Sequence, residues 1–153
     1  LHPYHTNLGK RLVKTPKLYF TEPGLLSWLL QIETAEQASR DPLLGGIFEN
    51  MVVMEAVKAA CNRGLAAQLS FYRDKSGLEV DLIREYQRRP YALEIKAGKT
   101  YVSGMKDSLK RFRSIKKDVK GAALIYGGEE RASVDGIEIV PYPDTAELLF
   151  PDG

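Results

Sequence analysis

Apolar residues recur along the chain with two periods, the three- to four-residue spacing of helices and the alternation of strands. Helical spacing from Leu44 to Asn62, with Gly64 just beyond, predicts one long helix. The same spacing predicts a second helix from about Tyr101 to Lys117. Alternating or continuous apolar runs predict strands, and one short run predicts a closing helix. The strand segments are LSFYRD, EVDLIRE, YALEIKA, GAALIYGG and IEIVPY, and the closing helix is DTAELLF.

The first 40 residues carry a different pattern. LHPYHTNLGKRLVKTP combines turn residues and basic side chains without an apolar period, which is typical of a linker or arm. KLYF, from Lys17 to Phe20, predicts a short strand, after which Thr21 is expected to cap a helix that has Pro23 near its start. The polar stretch ETAEQASRDP then separates this segment from the main body. We therefore divide the chain into a linker segment, 1–40, and a main domain, 41–153.

The order of the predicted elements defines the fold class. A helix, three strands, a helix and two more strands predict an α/β domain in which helices flank one mixed sheet. Hydrophobic residues make up 44% and charged residues 27% of the 153, the balance of one globular domain. The lone Cys61 allows no internal disulfide, and the longest apolar run, Leu25 to Leu30, is far too short to span a bilayer. We expect a cytoplasmic protein without a membrane partner, and the initial Leu1 indicates a piece of a longer reading frame.

Positive charge is concentrated in one part of the chain. The whole sequence has a formal net charge of +2, yet Lys96 to Lys120 contains nine basic and two acidic residues. Such a concentration favours a polyanionic partner such as nucleic acid. The alternative is a lysine-rich helix whose charges are simply solvated. The pattern alone leaves both interpretations open.

Glu49 is an anomaly on the long predicted helix. On a helical wheel with about 100° per residue, it lies in the middle of the apolar arc, beside Val53, Ala56 and Ala60. A carboxylate in that position loses its hydration, and the loss is costly unless a cation compensates for it. Alternatively, Glu49 is close enough to the helix start to tip into water or to interact with the N-terminal dipole.

The predicted hairpin contains a second anomaly. A reversal centred on Gln87 and Arg88 places Asp81 directly opposite Glu94, although like charges in that position repel each other. Alternation also puts Lys96 on the same face as Glu94. The ordinary interpretation is a solvent-facing hairpin with cross-strand salt bridges. Because both strands are otherwise largely apolar, we favour convergence of the three charged groups.

These residues carry a resemblance to a known superfamily. Glu49 on a helix, Asp81 on a strand and Glu94-Ile95-Lys96 on the next strand resemble the PD-(D/E)xK nucleases, although Val80 replaces the proline that gives the motif its name. More narrowly, several strings resemble the uncharacterised C-terminal domain that follows an AAA-type ATPase module in many bacterial and archaeal proteins. These strings are KTPKLYFTEPGL, GGIFENMVV, FYRDKSGLEVDLI and LEIKAGKT. The resemblance implies a restriction-endonuclease-like sheet and an upstream ATPase domain in the same protein.

The resemblance also implies a chemistry. Asp81, Glu94 and the main-chain carbonyl of Ile95 would bind Mg²⁺ or Mn²⁺, since both metals prefer hard oxygen ligands. Lys96 would orient the attacking water or stabilise developing charge, and Glu49 would hold a second metal or a metal-bound water. We expect Glu49, Asp81, Glu94 and Lys96 to converge at one edge of the sheet as the catalytic residues. The basic helix would contact nucleic acid, most simply DNA, along an exposed stripe; the contact residues would be Lys99, Lys106, Lys110, Arg113 and Lys117.

A non-catalytic function is the competing interpretation. A nuclease-like fold also serves as a nucleic-acid-binding or protein-docking module of an ATPase without cleaving anything.

Other chemistry-bearing residues receive structural interpretations. Cys61 is expected in the core, Trp28 is expected to pack among its leucine neighbours, and His2 and His5 are too few for a structural zinc site.

Overall fold

The computed structural model describes residues 1–4 and 15–151. His5, which was excluded as a zinc ligand, and most of the predicted arm lie outside the described residues. Among the described residues, the α-helices are α1 (Pro23–Leu29), α2 (Ala35–Arg40), α3 (Leu44–Asn62), α4 (Asp107–Ile115) and α5 (Thr145–Leu149). The strands are β1 (His2–Pro3), β2 (Leu69–Arg73), β3 (Glu79–Tyr86), β4 (Arg89–Lys96), β5 (Gly121–Tyr126), β6 (Ala132–Val134) and β7 (Ile137–Pro141).

All seven of these strands form one mixed sheet in the order β1-β2-β3-β4-β5-β7-β6. Strands β2, β3 and β4 are joined antiparallel, whereas β4, β5 and β7 are parallel neighbours. The connection from β4 to β5 therefore crosses over, and it contains α4. The prediction of an α/β domain with one mixed sheet flanked by helices is confirmed.

The register of the central hairpin is the one that the sequence predicts. Leu82 pairs with Leu93, and Ile83 pairs with Ala92. Gln87 and Arg88 form the two-residue turn with φ of 51° and 66°, the left-handed conformation that tight hairpin turns require. Continuing this register by one residue brings Asp81 opposite Glu94.

The two larger of three apolar clusters cover the central strands on the two faces of the sheet. On one face, α3 contributes Val52, Val53 and Ala56, which pack with Leu82 and Leu93. On the other face, Leu109 and Phe112 of α4 pack with Ile83 and Ala92, which are the neighbours of Leu82 and Leu93 along the same strands. The central strands are therefore covered by helices on both sides, so a charged side chain on them becomes buried unless it lies near a strand end.

The segment predicted as the strand KLYF is not a strand in the structure. Its backbone is held at two isolated points instead. The Lys17 N–H donates to the Leu1 carbonyl at 3.0 Å, and the Phe20 N–H donates to Asn50 Oδ1 at 2.7 Å while Asn50 Nδ2 returns a 3.0 Å hydrogen bond to the Phe20 carbonyl. A side chain of α3 thus replaces the neighbouring strand that KLYF would need.

The N-terminal segment also begins its helices differently from the prediction. Because α1 starts at Pro23, the residue at its cap position is Glu22 rather than Thr21. The polar stretch ETAEQASRDP is not a simple separator, since it contains α2. That helix has a capping box in which Thr34 Oγ1 accepts from the Gln37 N–H at 3.1 Å and the Gln37 side chain accepts from the Thr34 N–H at 3.0 Å.

Several other expectations need correction. The predicted helix from Tyr101 to Lys117 is divided into a 3₁₀ turn, Ser103–Lys106, and the shorter α4. Cys61 is exposed rather than buried, because it lies in the last turn of α3. Trp28 is 72% exposed, so its leucine neighbours do not bury it. Over residues 1–4 and 15–151, each helix is too short or too polar to cross a bilayer.

Candidate functional site

The two central strands separate at the position of Asp81. Their last paired residues are Leu82 and Leu93. Beyond this pair, the Ile95 N–H donates to Asp81 Oδ2 at 2.9 Å instead of to a backbone carbonyl. Asp81 is 7% exposed, so a buried carboxylate replaces a normal ladder contact. This hydrogen bond fixes Oδ2 and leaves Oδ1 available to other groups.

Glu94 is held on the α4 side of the same opening. It is 6% exposed. Its Oε1 accepts from Lys96 Nζ at 2.5 Å, and its Oε2 accepts from Ser108 Oγ of α4 at 2.5 Å. The Lys96 side chain is 41% exposed. The lysine therefore links a buried carboxylate to solvent, where a substrate would approach.

Glu49 meets a cation, which favours the first of the two interpretations of its position. Lys17 Nζ lies 2.8 Å from Glu49 Oε1 and 3.8 Å from Asp81 Oδ1, and it also contacts Glu79 Oε1. The Tyr19 hydroxyl donates to Glu49 Oε1 at 2.5 Å. Segment 15–20 thus supplies both groups that compensate Glu49, and its Lys17 joins carboxylates of α3 and β3.

Glu79 is a fourth carboxylate of this group. Arg73 of the adjacent strand β2 donates to both of its oxygens, at 2.8 and 2.9 Å. Burial alone would raise the pKa of Glu79, but the hydrogen bonds from Arg73 and Lys17 hold it below its usual value. Because Glu79 is fully paired, it stays ionised and anchors the Lys17 ammonium.

The environment of Asp81 is less well compensated. Burial, followed by the charges of Glu94 and Glu49, raises the pKa of Asp81 to about 7. The Ile95 N–H and Lys17 oppose this rise only in part. Burial would lower the pKa of Lys96, but its hydrogen bond to Glu94 and the nearby carboxylates raise it. A carboxylate with a perturbed pKa beside a lysine that stays charged is a common feature of functional sites.

We use the term carboxylate centre for these acidic and basic residues: Glu49, Glu79, Asp81, Glu94, Lys17, Lys96 and Arg73. The four predicted catalytic residues all belong to it. The prediction places them at one edge of the sheet. The structure brings Asp81, Glu94 and Lys96 together where the central strands β3 and β4 separate, and Lys17 joins Glu49 of α3 to Asp81. Within residues 1–4 and 15–151, no three His, Cys, Asp or Glu side chains are grouped as a ready-made metal site.

Five members or neighbours of the centre were missed in the sequence, namely Glu79, Lys17, Arg73, Tyr19 and Ser108. Glu79 has a signal, since it lies two residues before Asp81 and alternation places both on one face. Lys17 and Tyr19 are likewise two residues apart in an extended segment. Ser108 carries no signal that separates it from any helical serine. What the sequence lacks is the long-range contact that brings residues 17 and 19 to Glu49.

Part of the positive charge of the basic helix is paired within its own domain. Lys106 is 1% exposed, so its predicted place on an exposed stripe is wrong. Its Nζ and that of Lys110 each lie 2.9 Å from Asp135 Oδ2. Arg113 donates to the carbonyls of Asp135 and Gly136 at 3.3 and 3.1 Å. We call these three cations the basic cluster.

Asp135 lies in the turn between β6 and β7. Hydrogen bonds from Lys110 and Lys106 lower its pKa to about 2. The carboxylate is therefore ionised at neutral pH and offsets part of the positive charge of α4. Lys99 and Lys117 are exposed, and they remain predicted contacts for nucleic acid.

A groove follows the carboxyl ends of the parallel strands. Its volume is about 940 Å³, and its lining includes Lys99, Tyr101, Tyr126 and Tyr142. Ligands of open α/β sheets commonly bind outside the carboxyl ends of parallel strands. Lys99, three residues beyond Lys96 in the sequence, is part of this lining.

Comparison with protein families divides the chain into two parts. A family model described as a domain of unknown function (DUF4143) matches residues 44–145. A second, described as a domain of unknown function (DUF8612), matches residues 1–36. The carboxylates of the centre lie in the first matched region, whereas Lys17 and Tyr19 lie in the second.

Two curated relatives are similar to nearly the whole chain. They are Uncharacterized protein Mb2031c of Mycobacterium bovis and Uncharacterized protein Rv2008c of Mycobacterium tuberculosis. Each is 35% identical over 146 residues, which cover 92% of this chain and 31% of the relative. The chain thus spans about a third of the length of these relatives. No solved structure matches it.

Proposed function

Since the chain belongs to the DUF4143 family, whose description names no activity, we propose from the geometry of the site that it is a divalent-metal-dependent nuclease domain of the PD-(D/E)xK type. Its reaction would be the hydrolysis of phosphodiester bonds. The observation that carries this proposal is the buried pair Asp81 and Glu94 at the separation of two central strands, with Lys96 beside it. Burying two like charges together is costly. A buried pair of this kind therefore indicates a bound cation or a functional role.

The donor set fits a hard divalent cation. Asp81 and Glu94 supply carboxylate oxygens, and Ile95 lies between Glu94 and Lys96 on the same strand with its main-chain carbonyl. Mg²⁺ and Mn²⁺ prefer oxygen ligands of this kind. Burial and then the charges of Glu94 and Glu49 raise the pKa of Asp81, and a divalent cation would offset both effects. When bound, the metal would polarise a phosphate and acidify a water.

The remaining residues of the site would position the attacking water and bind the substrate phosphate. Lys96 is charged and partly exposed, so it would orient the attacking water and stabilise negative charge as it develops. Glu49 would hold a second metal or a metal-bound water through its carboxylate. Lys99, which lines the groove, would contact the backbone of nucleic acid, for which we propose DNA.

The proposal extends to the whole protein. The relatives are about three times the length of this chain, which leaves room for the ATPase domain that the sequence resemblance implies. We propose that this ATPase is a partner within the same protein and that the protein functions in the cytoplasm. The nuclease domain would then act on nucleic acid that the ATPase moves or remodels.

A docking module is the second candidate, and one observation favours it. The N-terminal segment exposes a group of large apolar side chains on and beside α1, of which Trp28 is the largest. The exposed fractions are 94% for Leu18, 50% for Leu25, 72% for Trp28 and 52% for Leu29. An apolar patch of this kind is typical of contact with another protein or domain.

Cleavage assays distinguish the two candidates. The purified protein is incubated with DNA and with RNA in Mg²⁺ and in Mn²⁺, and metal binding is measured by calorimetry. A nuclease cleaves at least one substrate, while Asp81→Ala and Glu94→Ala abolish both cleavage and metal binding because each removes a ligand. Lys58→Ala, on the exposed side of α3, is the matched control and retains activity.

Each result has a clear meaning. Absence of cleavage with metal still bound contradicts cleavage by this chain alone, and the assay is then repeated with the longer protein that contains the ATPase. Absence of both cleavage and metal binding contradicts the nuclease proposal. That outcome favours the docking module instead.

A further inference from the structure

The Lys17 ammonium lies among three carboxylates of the centre, one of which, Asp81, is a proposed metal ligand. It contacts oxygens of Glu49, Glu79 and Asp81. Its distance to Asp81 Oδ1 is 3.8 Å. Because the Ile95 N–H holds Oδ2, Oδ1 is the Asp81 oxygen open to a cation. Lys17 therefore faces the same oxygen that would ligate the metal.

An ammonium and a divalent cation compete for such oxygens because both are attracted to the same negative charge. The Lys17 side chain is only 14% exposed, so water screens its charge weakly. Metal entry against a fixed, unscreened positive charge about 4 Å from a ligand oxygen is strongly unfavourable. This repulsion is removed only if the ammonium moves away or is replaced by an uncharged group.

Lys17 is delivered by a part of the chain that is distinct from the nuclease-like part. It lies within residues 1–36, which match a family model other than the one that matches the carboxylates. Segment 15–20 is fastened to α3 by the paired hydrogen bonds between Phe20 and Asn50. Phe20 is three residues after Lys17, so these bonds anchor the segment that carries the ammonium.

We propose that Lys17 is a tethered cation that competes with the divalent metal for Asp81 and Glu49, so that segment 15–20 regulates metal binding. This inference rests on the proposed function, because it requires the metal. The closed state described here has the ammonium among the carboxylates. Metal binding displaces the ammonium, and any partner that pulls the segment outward increases the metal affinity of the site.

Calorimetric titration with Mn²⁺ tests the competition. Lys17→Met keeps the length of the side chain and removes its charge, so Mn²⁺ should bind about tenfold more tightly or better. Lys17→Arg keeps the charge and should stay within about threefold of the parent protein. Lys58→Met removes a lysine from the exposed side of α3 and should leave Kd unchanged. Glu94→Ala added to Lys17→Met should abolish binding, which locates the metal.

The outcomes separate this inference from the proposed function. Equal Kd values for the parent protein and Lys17→Met overturn the competition and leave the metal site intact. Absence of Mn²⁺ binding in both overturns the metal site and the competition together. Tighter binding in Lys17→Met, with the two lysine controls unchanged, supports the proposal.

A measurement without a variant covers the case in which Lys17→Met fails to fold. An amine-reactive acylating reagent is applied to the parent protein with and without Mn²⁺, and modification is quantified by mass spectrometry. Displacement of Lys17 exposes its amine, so its modification should rise with Mn²⁺, while modification of Lys58 stays constant. Unchanged modification of Lys17 at saturating Mn²⁺ overturns the proposal.

Discussion

The carboxylate centre and the basic cluster handle charge in opposite ways. The basic residues are neighbours in sequence, yet the structure pairs Lys106 and Lys110 with Asp135 and directs Arg113 to the same turn. The acidic residues are scattered from Glu49 to Glu94, yet the fold gathers them at one point. A dense run of charge in the sequence therefore says little about which charges are available, whereas charge concentrated by tertiary contacts indicates a site.

The largest expected effect tests whether the carboxylate centre is catalytic. Lys96→Ala should lower the rate of cleavage by about 10² to 10³, or about 2 to 4 kcal/mol of transition-state stabilisation. Metal binding should survive, because Lys96 is not a ligand. Single-turnover rates and Mn²⁺ calorimetry measure the two effects separately. A rate equal to that of the parent protein would remove Lys96 from the mechanism.

The second prediction concerns the stability of the metal-free centre. The pKa of Asp81 is about 7 in the folded state, against 3.8 for an ordinary aspartate. The folded state thus holds its proton more tightly, so Asp81 lowers stability progressively as pH rises from about 4 to 7. Asp81→Asn removes this loss and keeps an oxygen for the Ile95 N–H.

The measurement is chemical denaturation of both proteins, without metal, at pH 4.5 and pH 8. The advantage of Asp81→Asn over the parent should be larger at pH 8 by about 2 to 4 kcal/mol. Comparing the two proteins cancels the titrating groups that do not interact with Asp81, so the difference reports on Asp81 and the carboxylates that interact with it. An advantage that does not change with pH would show that Asp81 is ionised throughout.

The sequence predicts those residues of the centre whose positions depend on local contacts, and it misses those that depend on contacts between residues far apart in the chain. Asp81, Glu94 and Lys96 follow from strand alternation and hairpin register, which are local, and α3 has its predicted bounds. Lys17 depends on a contact with Glu49 across 32 residues, which no periodicity encodes. The KLYF segment has the composition of a strand, but among the residues that the structure describes no strand pairs with it, and Phe20 is hydrogen-bonded to the side chain of Asn50 instead.

The third prediction tests how that segment is attached to the centre. Asn50 is 4% exposed, and it both donates to and accepts from the backbone of Phe20. Asn50→Ala leaves these backbone groups without a partner and should cost about 1 to 3 kcal/mol of unfolding free energy. Asn62→Ala, at the exposed end of α3, is the control and should change stability little. Equal losses for both variants would contradict a specific role for Asn50.

The smallest expected effect concerns the basic cluster. Asp135→Asn removes the carboxylate that neutralises Lys106 and Lys110, so binding to DNA should strengthen. The slope of log affinity against log salt should steepen by the amount that corresponds to about one more phosphate contact. Fluorescence anisotropy at several salt concentrations measures this slope, with Asp118→Asn, which frees only Lys116, as a comparison. An unchanged slope would mean that α4 does not face the DNA.

Within the part of the chain that the structure describes, residues 1–4 and 15–151, the sheet ends in very short strands on both sides. One outer strand is β1, His2–Pro3, and the other is β6, Ala132–Val134. Pro3 has no N–H to offer a further strand. Long unpaired outer strands act as templates on which other chains add and polymerise, and short ones with proline do not. The long, apolar central strands are thereby shielded from edge-to-edge aggregation, even though the domain carries a strained cluster of like charges in its interior.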